Sequence, residues 1–218
     1  MLADYKDKHN GEACVVIGNG PSLDKTPLAE LTKNRVSFGS NKIYNYPFEP
    51  TYYTVIDHEM LHDCIGKISE LKSKVFVPRG IPVPGSEQLQ LRVSAQFSED
   101  IEECVYIGGT VTFVNLQLAY YMGFETVLMV GVDHRYNKAE KGGVPGSKFI
   151  ADGDDPDHFG KGYFEAGKLY NRPELEAVNK KIYPLAQYSF SRVGRKIINL
   201  TPDSGTDAFP TDSWDKWL

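Results

Sequence analysis

Short apolar runs that stop at a glycine or a turn alternate with stretches of helical spacing along most of the chain. The clearest runs are Ala13–Ile17 and Thr126–Val130, and a glycine follows each of them directly. Continuous apolar runs of this length are typical of strands that are buried on both faces of a parallel sheet. Further strands are predicted at 35–39, 52–56, 74–77 and 196–200. The alternation predicts an α/β, Rossmann-like fold whose mainly parallel sheet is flanked by helices.

Helical spacing predicts four helices between these strands. They begin at Thr26-Pro27, cover 60–71 and 110–122, and run from 173 to 194 with an interruption near Pro184. The helix over 110–122 carries no charge and lies within the longest uncharged run, 105–124. That run is long enough to cross a bilayer, but it contains two adjacent glycines and several polar residues. We therefore expect a buried helix.

Residues 132–171 follow no regular pattern and are rich in glycine, aspartate, histidine and lysine. A stretch of this length without regular structure is uncommon in a compact domain, and it is typical of a functional lid or of disorder. No internal repeat divides the chain. We therefore predict one domain over 1–218, with an irregular lid at about 132–171 and a surface tail at about 201–218.

Composition and charge exclude several classes of protein. Hydrophobic residues make up 41% and the net charge is −5, so the chain is globular and lacks the basic excess of most nucleic-acid-binding proteins. Cys14, Cys64 and Cys104 are odd in number and far apart, which argues against a disulfide scaffold and against a zinc motif. The first residues lack the apolar core of a secretory leader. These features predict a cytoplasmic protein without a transmembrane segment.

Glycines and polar residues follow the first predicted strand, at the edge where parallel sheets bind ligands. The segment is Gly18-Asn19-Gly20-Pro21-Ser22, and glycines at such a turn leave backbone amides open to an anion. It lacks the third glycine of a dinucleotide-binding loop, because Leu23 stands there, and it lacks the lysine of a Walker A loop. A ligand loop and a plain turn are equally consistent with this segment.

Further polar groups follow the later strands. Asn41 follows the second strand, Asp57 the third, and Asp133 lies just after Thr126–Val130. Gly109 and Thr110 open the uncharged helix, where threonine can cap one amide and glycine leaves others open to an anion. Each of these residues also has an ordinary interpretation as a turn or cap residue. Their common position at one sheet edge makes them candidates for ligand binding.

The predicted lid supplies groups for acid–base chemistry. His158, Tyr136 and Tyr163 are the candidates, and Asp157 beside His158 could orient its imidazole. The aspartates of the lid also offer oxygen ligands for Mg²⁺, or they simply form a solvated acidic loop. No group of residues has the spacing of a structural metal site, and we predict no bound metal.

Taken in order, these segments resemble one known family. The resemblance rests on Val16-Ile17-Gly18-Asn19-Gly20-Pro21-Ser22-Leu23, Ser40-Asn41, Gly108-Gly109-Thr110-Val111-Thr112, Val130-Gly131-Val132-Asp133 and Asp157-His158-Phe159. Together they resemble the 6-hydroxymethylpterin diphosphokinase-like family, which includes bacterial proteins linked to flagellin and polysaccharide glycosylation. The chain is also similar to bacterial sialyltransferases that use CMP-activated sugars and share the first loop. The resemblance covers about 12–202.

The sialyltransferase resemblance implies roles for the matching residues. His158 would be the general base that deprotonates the acceptor hydroxyl, and Tyr136 and Tyr163 would stabilise the departing phosphate. The residues implied in nucleotide binding are Gly18, Asn19, Gly20, Pro21, Ser22, Asn41, Asp57, Gly109, Thr110 and Asp133. Such an enzyme is expected to need no metal or other cofactor. Its partners would be a CMP-sugar donor and a glycan or small-molecule acceptor.

Two other functions stay open. In the diphosphokinase branch the same loops would bind ATP, carboxylates would hold Mg²⁺, and a diphosphoryl group would pass to a pterin hydroxymethyl group. A non-catalytic nucleotide-sugar-binding module would use the lid to retain its ligand without chemistry. Neutral Asn19 favours the CMP-sugar interpretation, because the kinase branch tends to carry an acidic residue in this loop. A homo-oligomer is also left open.

Overall fold

A computed structural model describes residues 1–136, 147–153 and 155–218 of the chain. The strands of the central sheet are β1 (Ala13–Ile17), β2 (Val36–Ser40), β3 (Tyr52–Thr54), β4 (Lys74–Pro78), β5 (Glu87–Leu89), β8 (Thr126–Val130) and β11 (Lys196–Asn199). They are ordered β11-β8-β1-β2-β3-β4-β5, and every pairing between neighbours is parallel. The predicted α/β, Rossmann-like fold is confirmed.

Four shorter strands lie outside this sheet. β6 (Leu91–Arg92) and β7 (Val105–Tyr106) form a parallel pair, and β9 (Lys148–Ile150) and β10 (Leu169–Asn171) form an antiparallel pair. The pair β9–β10 lies inside the segment predicted as an irregular lid, so the lid contains regular structure. These strands are only two or three residues long, and so short a run has no periodicity that a sequence pattern could reveal.

The helices are α1 (Leu28–Thr32), α2 (His58–Ile68), α3 (Val111–Tyr121), α4 (Leu175–Ala177) and α5 (Tyr183–Ser191). A π-helical turn, Val178–Ile182, joins α4 to α5, and 3₁₀ turns cover Leu2–Tyr5, Pro21–Lys25, Asn41–Asn45 and Trp214–Trp217. The sequence Thr26-Pro27 is typical of an N-cap followed by a first helical residue, but Thr26 does not cap α1. Its hydroxyl donates to the Ser22 carbonyl oxygen, and Pro27 occupies the N-cap position. The break near Pro184 is this π-helical turn, while Pro184 lies in the first turn of α5.

Two apolar clusters fill the two faces of the sheet. Alternate residues of β1 enter different clusters, Cys14 and Val16 on the side of α3, and Val15 and Ile17 on the side of α1 and α2. This alternation, with both faces covered, explains why β1 is apolar at every position.

The helix α3 is buried nearly all round. Nine of its eleven residues are buried, which explains the absence of charge in its sequence. The buried side chain of Gln117 in this helix is hydrogen-bonded, because its amide oxygen accepts from the backbone amides of Ser98 and Tyr106. Within the described part of the chain, no helix has both the length and the apolar character needed to span a membrane.

The strand order places a topological switch at β1. The chain runs outward from β1 through β2, β3, β4 and β5, then returns to place β8 on the other side of β1 and β11 beyond it. In open α/β sheets, ligands bind in the crevice beyond the carboxyl ends of the strands at such a point. The loops after β1, β2 and β8 therefore face the expected binding crevice.

Candidate functional site

A cavity of about 1420 Å³ opens at this switch point. Eleven of the thirteen predicted site residues line it: Gly18, Asn19, Gly20, Asn41, Asp57, Gly109, Thr110, Asp133, Tyr136, His158 and Tyr163. The other two, Pro21 and Ser22, begin the 3₁₀ turn behind the first loop and do not line the cavity. The fold thus brings residues from six separate segments to one place.

The loops after β1 and β8 interlock, and this contact explains their glycines. The Gly20 amide donates to the Gly131 carbonyl oxygen at 2.8 Å, and the Ser22 amide and hydroxyl donate to the Asp133 carboxylate at 3.2 and 2.7 Å. A Cβ on Gly18 would stand 2.2 Å from the Gly131 carbonyl oxygen, and one on Gly20 would stand 1.9 Å from Asp133 Oδ2. The Asp133 carboxylate therefore occupies part of the space after β1 where the sequence predicted a bound anion.

Adding a methyl group at Gly18 is expected to destabilise the fold. The Gly18→Ala variant should lose about 2–3 kcal/mol of unfolding free energy in urea denaturation, because the Gly131 backbone must move to admit the Cβ. Gly66→Ala is the matched control. Gly66 lies within α2 with open space around it, so alanine there should raise the free energy of unfolding by about 0.5–1 kcal/mol. A Gly18→Ala variant as stable as the wild type would mean that the loops do not need this contact.

Two asparagines in the lining of the cavity each have a buried side-chain oxygen without a partner among the described residues. Asn19 donates its Nδ2 to the carbonyl and hydroxyl oxygens of Ser40, each at 3.3 Å, which leaves its Oδ1 as a fixed acceptor. Asn41 has a left-handed backbone, φ +51°, held by a hydrogen bond from the Tyr53 hydroxyl to its carbonyl, and its Oδ1 is likewise unpartnered. Buried polar atoms are rarely left unpaired, so this edge is suited to a ligand that offers O–H or N–H donors.

His158 forms a hydrogen-bonded pair with a carboxylate. Its Nδ1 lies 2.8 Å from Asp155 Oδ2, and the Asp155 side chain is only 6% exposed. Because a carboxylate only accepts, Nδ1 carries the proton and Nε2 is left with its lone pair. The orienting carboxylate is thus Asp155 and not the predicted Asp157, whose backbone amide donates to Asp155 Oδ1 at 3.1 Å.

Packing fixes this histidine against the first loop. Its ring stacks on Tyr163, with centroids 3.9 Å apart and planes 7° from parallel. The next residue, Phe159, donates its amide to the Asn19 carbonyl oxygen at 2.9 Å. His158 is therefore held beside one of the two unpartnered acceptors.

The two predicted phosphate-binding tyrosines have other partners in the structure. Tyr136 donates its hydroxyl to the Pro173 carbonyl oxygen at 2.7 Å, and the Arg172 guanidinium lies 4.0 Å above its ring. Tyr163 is buried beneath His158, and burial raises its pKa far above the ordinary value. The Tyr136 hydroxyl is thus already bound to the protein and Tyr163 packs under the histidine ring, and no local sequence pattern indicates either contact.

The start of α3, the second place where the sequence predicted anion binding, is also packed against other side chains. Thr110 caps α3 by accepting from the Thr112 amide at 3.3 Å. A Cβ on Gly108 would stand 2.7 Å from Ile182, and one on Gly109 would stand 3.3 Å from Val178. The missing side chains of these glycines leave room for the π-helical turn to pack against the loop. The N-terminus of α3 still lines the cavity.

Two of the carboxylates that line the cavity, those of Asp57 and Glu59, are bound to protein donors. Asp57 caps α2 through the Met60 amide at 3.0 Å and contacts Asn171, while Glu59 pairs with Lys148, which lowers the pKa of Glu59 to about 2. No three His, Cys, Asp or Glu side chains gather as metal ligands within the described ranges. The described residues therefore supply no set of three protein ligands for Mg²⁺.

A cluster of charged side chains around one buried ion pair, absent from the sequence prediction, links the lid to the body of the fold. We call Lys42, Asp63, Glu165, Lys168 and Tyr170 the lid clamp. Asp63 accepts from Lys168 at 2.7 Å and from Tyr170 at 2.5 Å, and lies 3.0 Å from the Lys42 ammonium. The side chains of Lys42 and Asp63 are 4% and 2% exposed. A lysine next to a turn asparagine usually lies in solvent, so no sequence signal marks this cluster.

Residues 1–139 match the family described as 6-hydroxymethylpterin diphosphokinase MptE-like. The match includes the loops after β1, β2 and β8 and the start of α3, and it ends before His158. No curated protein matches the chain.

The fold is similar to that of a much longer solved protein, "MAf glycosyltransferase from Magnetospirillum magneticum AMB-1". The two share 15% identity at a TM-score of 0.59, over 98% of this chain and 37% of that one. The likeness shows the fold, and this chain spans little more than a third of that protein's length.

Proposed function

Because the chain belongs to the 6-hydroxymethylpterin diphosphokinase MptE-like family, we propose that it is a transferase that acts on a nucleotide-activated substrate. The activity that the site favours is glycosyl transfer from a CMP-activated sugar to a hydroxyl acceptor. The observation that carries this proposal is the His158–Asp155 pair, which presents a basic Nε2 to the cavity beside Asn19. Glycosyl transfer to a hydroxyl is assisted by such a base, and this pair supplies it in the lining of the cavity.

The proposed reaction is a displacement at the anomeric carbon. The acceptor hydroxyl gives its proton to His158 Nε2 as its oxygen forms a bond to the anomeric carbon. The bond from that carbon to the phosphate oxygen breaks, and CMP leaves with the electron pair. Asp155 stabilises the imidazolium that forms, as a buried carboxylate on Nδ1 does in other catalytic pairs. Tyr163 supports the histidine ring, and the N-terminus of α3 faces the charge that develops on the phosphate.

The nucleoside is proposed to lie against Asn19 and Asn41. Their two unpartnered oxygens accept hydrogen bonds, and ribose hydroxyls and the cytosine amino group donate them. The loops 18–20 and 131–133 provide the floor between them. The acceptor, a glycan or a small molecule, enters from the lid side, where His158 stands.

A thermal-shift panel with CMP, CDP, CTP, ADP and ATP, each with and without Mg²⁺, tests the proposal. Ligand at about 100 times its Kd adds about 2.7 kcal/mol, which for a chain of this size raises the Tm by about 5–10 °C. We expect cytidine nucleotides to give this shift and Mg²⁺ to leave it unchanged. A shift seen only with ATP and Mg²⁺ would identify the diphosphokinase instead.

Two asparagine variants locate the binding. Asn41→Leu removes an unpartnered acceptor and should abolish most of the shift, because the ligand donor then meets an apolar group. Asn45→Leu is the control, since Asn45 is exposed and does not line the cavity. Equal shifts in both variants would place the nucleotide elsewhere. A shift with CMP-sugar but no turnover with any acceptor would favour a binding module.

A further inference from the structure

A second histidine in the cavity is held in one defined state. His134 lines the cavity in the turn after β8, and its Nε2 lies 2.8 Å from the Leu175 carbonyl oxygen. A carbonyl only accepts, so Nε2 carries the proton and Nδ1 is left as an acceptor. No described residue hydrogen-bonds to Nδ1. Burial lowers the pKa of His134, which keeps the ring neutral and preserves that acceptor.

The backbone around His134 is fixed from two sides. Its φ is +52°, a left-handed value that non-glycine residues adopt at a cost and that persists only where neighbours enforce it. The loop after β11 enforces it here, because the Gly205 amide donates to the Asp133 carbonyl oxygen at 2.7 Å. A Cβ on Gly205 would stand 2.4 Å from the His134 carbonyl oxygen. The Asp133 side chain is held in turn by Ser22.

The strand order sets His134 opposite the proposed nucleoside site. Asn41 follows β2, Asn19 follows β1 and His134 follows β8, and these are three neighbouring strands. Adjacent strands are about 4.8 Å apart, so the crevice from Asn41 to His134 spans roughly 10 Å. A ligand whose nucleoside lies at the asparagines extends its other half toward His134.

We propose that His134 is a specificity residue whose Nδ1 accepts a hydrogen bond from a hydroxyl of the transferred sugar. This assignment rests on the proposed function. The imidazole in this tautomer discriminates between ligands, since a group without an O–H or N–H donor at that point would displace water from Nδ1 and make no hydrogen bond to it. The base of the reaction remains His158, whose Nε2 is open, whereas Nε2 of His134 is bound to Leu175.

Two amide variants separate ligand binding from structure. Asparagine places its Oδ1 near the position of Nδ1 and tolerates the left-handed backbone, while glutamine reaches the position of Nε2 and retains the contact with Leu175. We expect His134→Gln to bind CMP-sialic acid about 10-fold more weakly than the wild type does, in calorimetric titration. His134→Asn should stay within about threefold, and both variants should bind CMP as the wild type does.

The outcomes distinguish the two proposals. The assignment is overturned if His134→Gln binds CMP-sialic acid as well as the wild type does. It is also overturned if both variants lose affinity for CMP and for CMP-sialic acid equally, because His134 is then structural. In both cases the proposed function stands. If the wild type binds neither CMP nor CMP-sialic acid, the proposed function fails and the assignment fails with it. His62→Gln is the control for a histidine change as such, because His62 is exposed on α2.

Discussion

Replacing His158 with alanine is expected to lower kcat by about 10²–10⁴-fold and to leave the affinity for CMP nearly unchanged. The variant removes the only group that the proposed reaction uses to accept the proton of the acceptor hydroxyl. It does not touch the asparagines proposed to hold the nucleoside. The measurement is steady-state turnover of a CMP-activated sugar, with nucleotide affinity taken separately by calorimetric titration.

Asp155→Asn extends this test to the pair. An asparagine can donate to Nδ1 as well as accept from it, so the tautomer with an open Nε2 is no longer enforced and kcat should fall with the nucleotide still bound. His62→Ala is the matched control, because that histidine is exposed and outside the cavity. Full turnover in His158→Ala would remove the proposed base. Parallel losses in kcat and CMP affinity would indicate that the ring only shapes the site.

Asp63→Asn in the lid clamp is expected to cost about 3–5 kcal/mol of unfolding free energy. The change removes the nearer counter-charge of Lys42, whose side chain is 4% exposed, and among the described carboxylates leaves it only Glu165 at 3.5 Å. The measurement is urea denaturation at pH 7. Glu70→Gln is the control: it breaks the exposed Lys67–Glu70 pair and should change stability by less than about 0.5 kcal/mol.

The pH dependence of stability gives a second readout for the lid clamp. Burial by itself raises the pKa of Asp63, but hydrogen bonds from Lys168, Tyr170 and Lys42 outweigh it and lower the pKa to about 2. A carboxyl whose folded pKa is depressed stabilises the fold above its unfolded pKa and loses that contribution as the pH falls through the folded one. The wild type should therefore lose more stability than Asp63→Asn between about pH 4 and pH 2. Equal slopes would mean that Asp63 is not held as a charged group.

Strong local patterns carried most of the fold prediction. β1 and β8 have the bounds that the sequence predicted, and the uncharged helix α3 is buried as expected. Weak or short patterns did not suffice. β5, Glu87–Leu89, has two polar residues of three, and it joins the sheet only because β4 offers a parallel edge. The sequence predicted an interruption of the last helix, but it could not show that the interruption is a π-helical turn, because that turn depends on the close approach to Gly108 and Gly109.

For the site, the sequence located the edge of the sheet but not the partners of each side chain. Spacing identified the glycines at 18 and 20, yet it could not show that Gly131 and Asp133, more than a hundred residues later, are what approaches them. It paired His158 with its neighbour Asp157, whereas the chain turns so that Asp155 reaches the ring. Lys42 and Asp63 are invisible to any local pattern, because their burial depends on the returning lid strand β10.

The interlocked loops after β1 and β8 also bear on how the protein folds. β1 pairs with β8, for instance Cys14 with Val127, so the central strand gains this neighbour only after a very long stretch of chain has closed. Such non-local pairing is slow, because loop closure is entropically costly before its contacts form. The crevice has no floor until that closure occurs. A nascent or partly folded chain thus lacks the site that we propose for a nucleotide, and binding there would report completed folding.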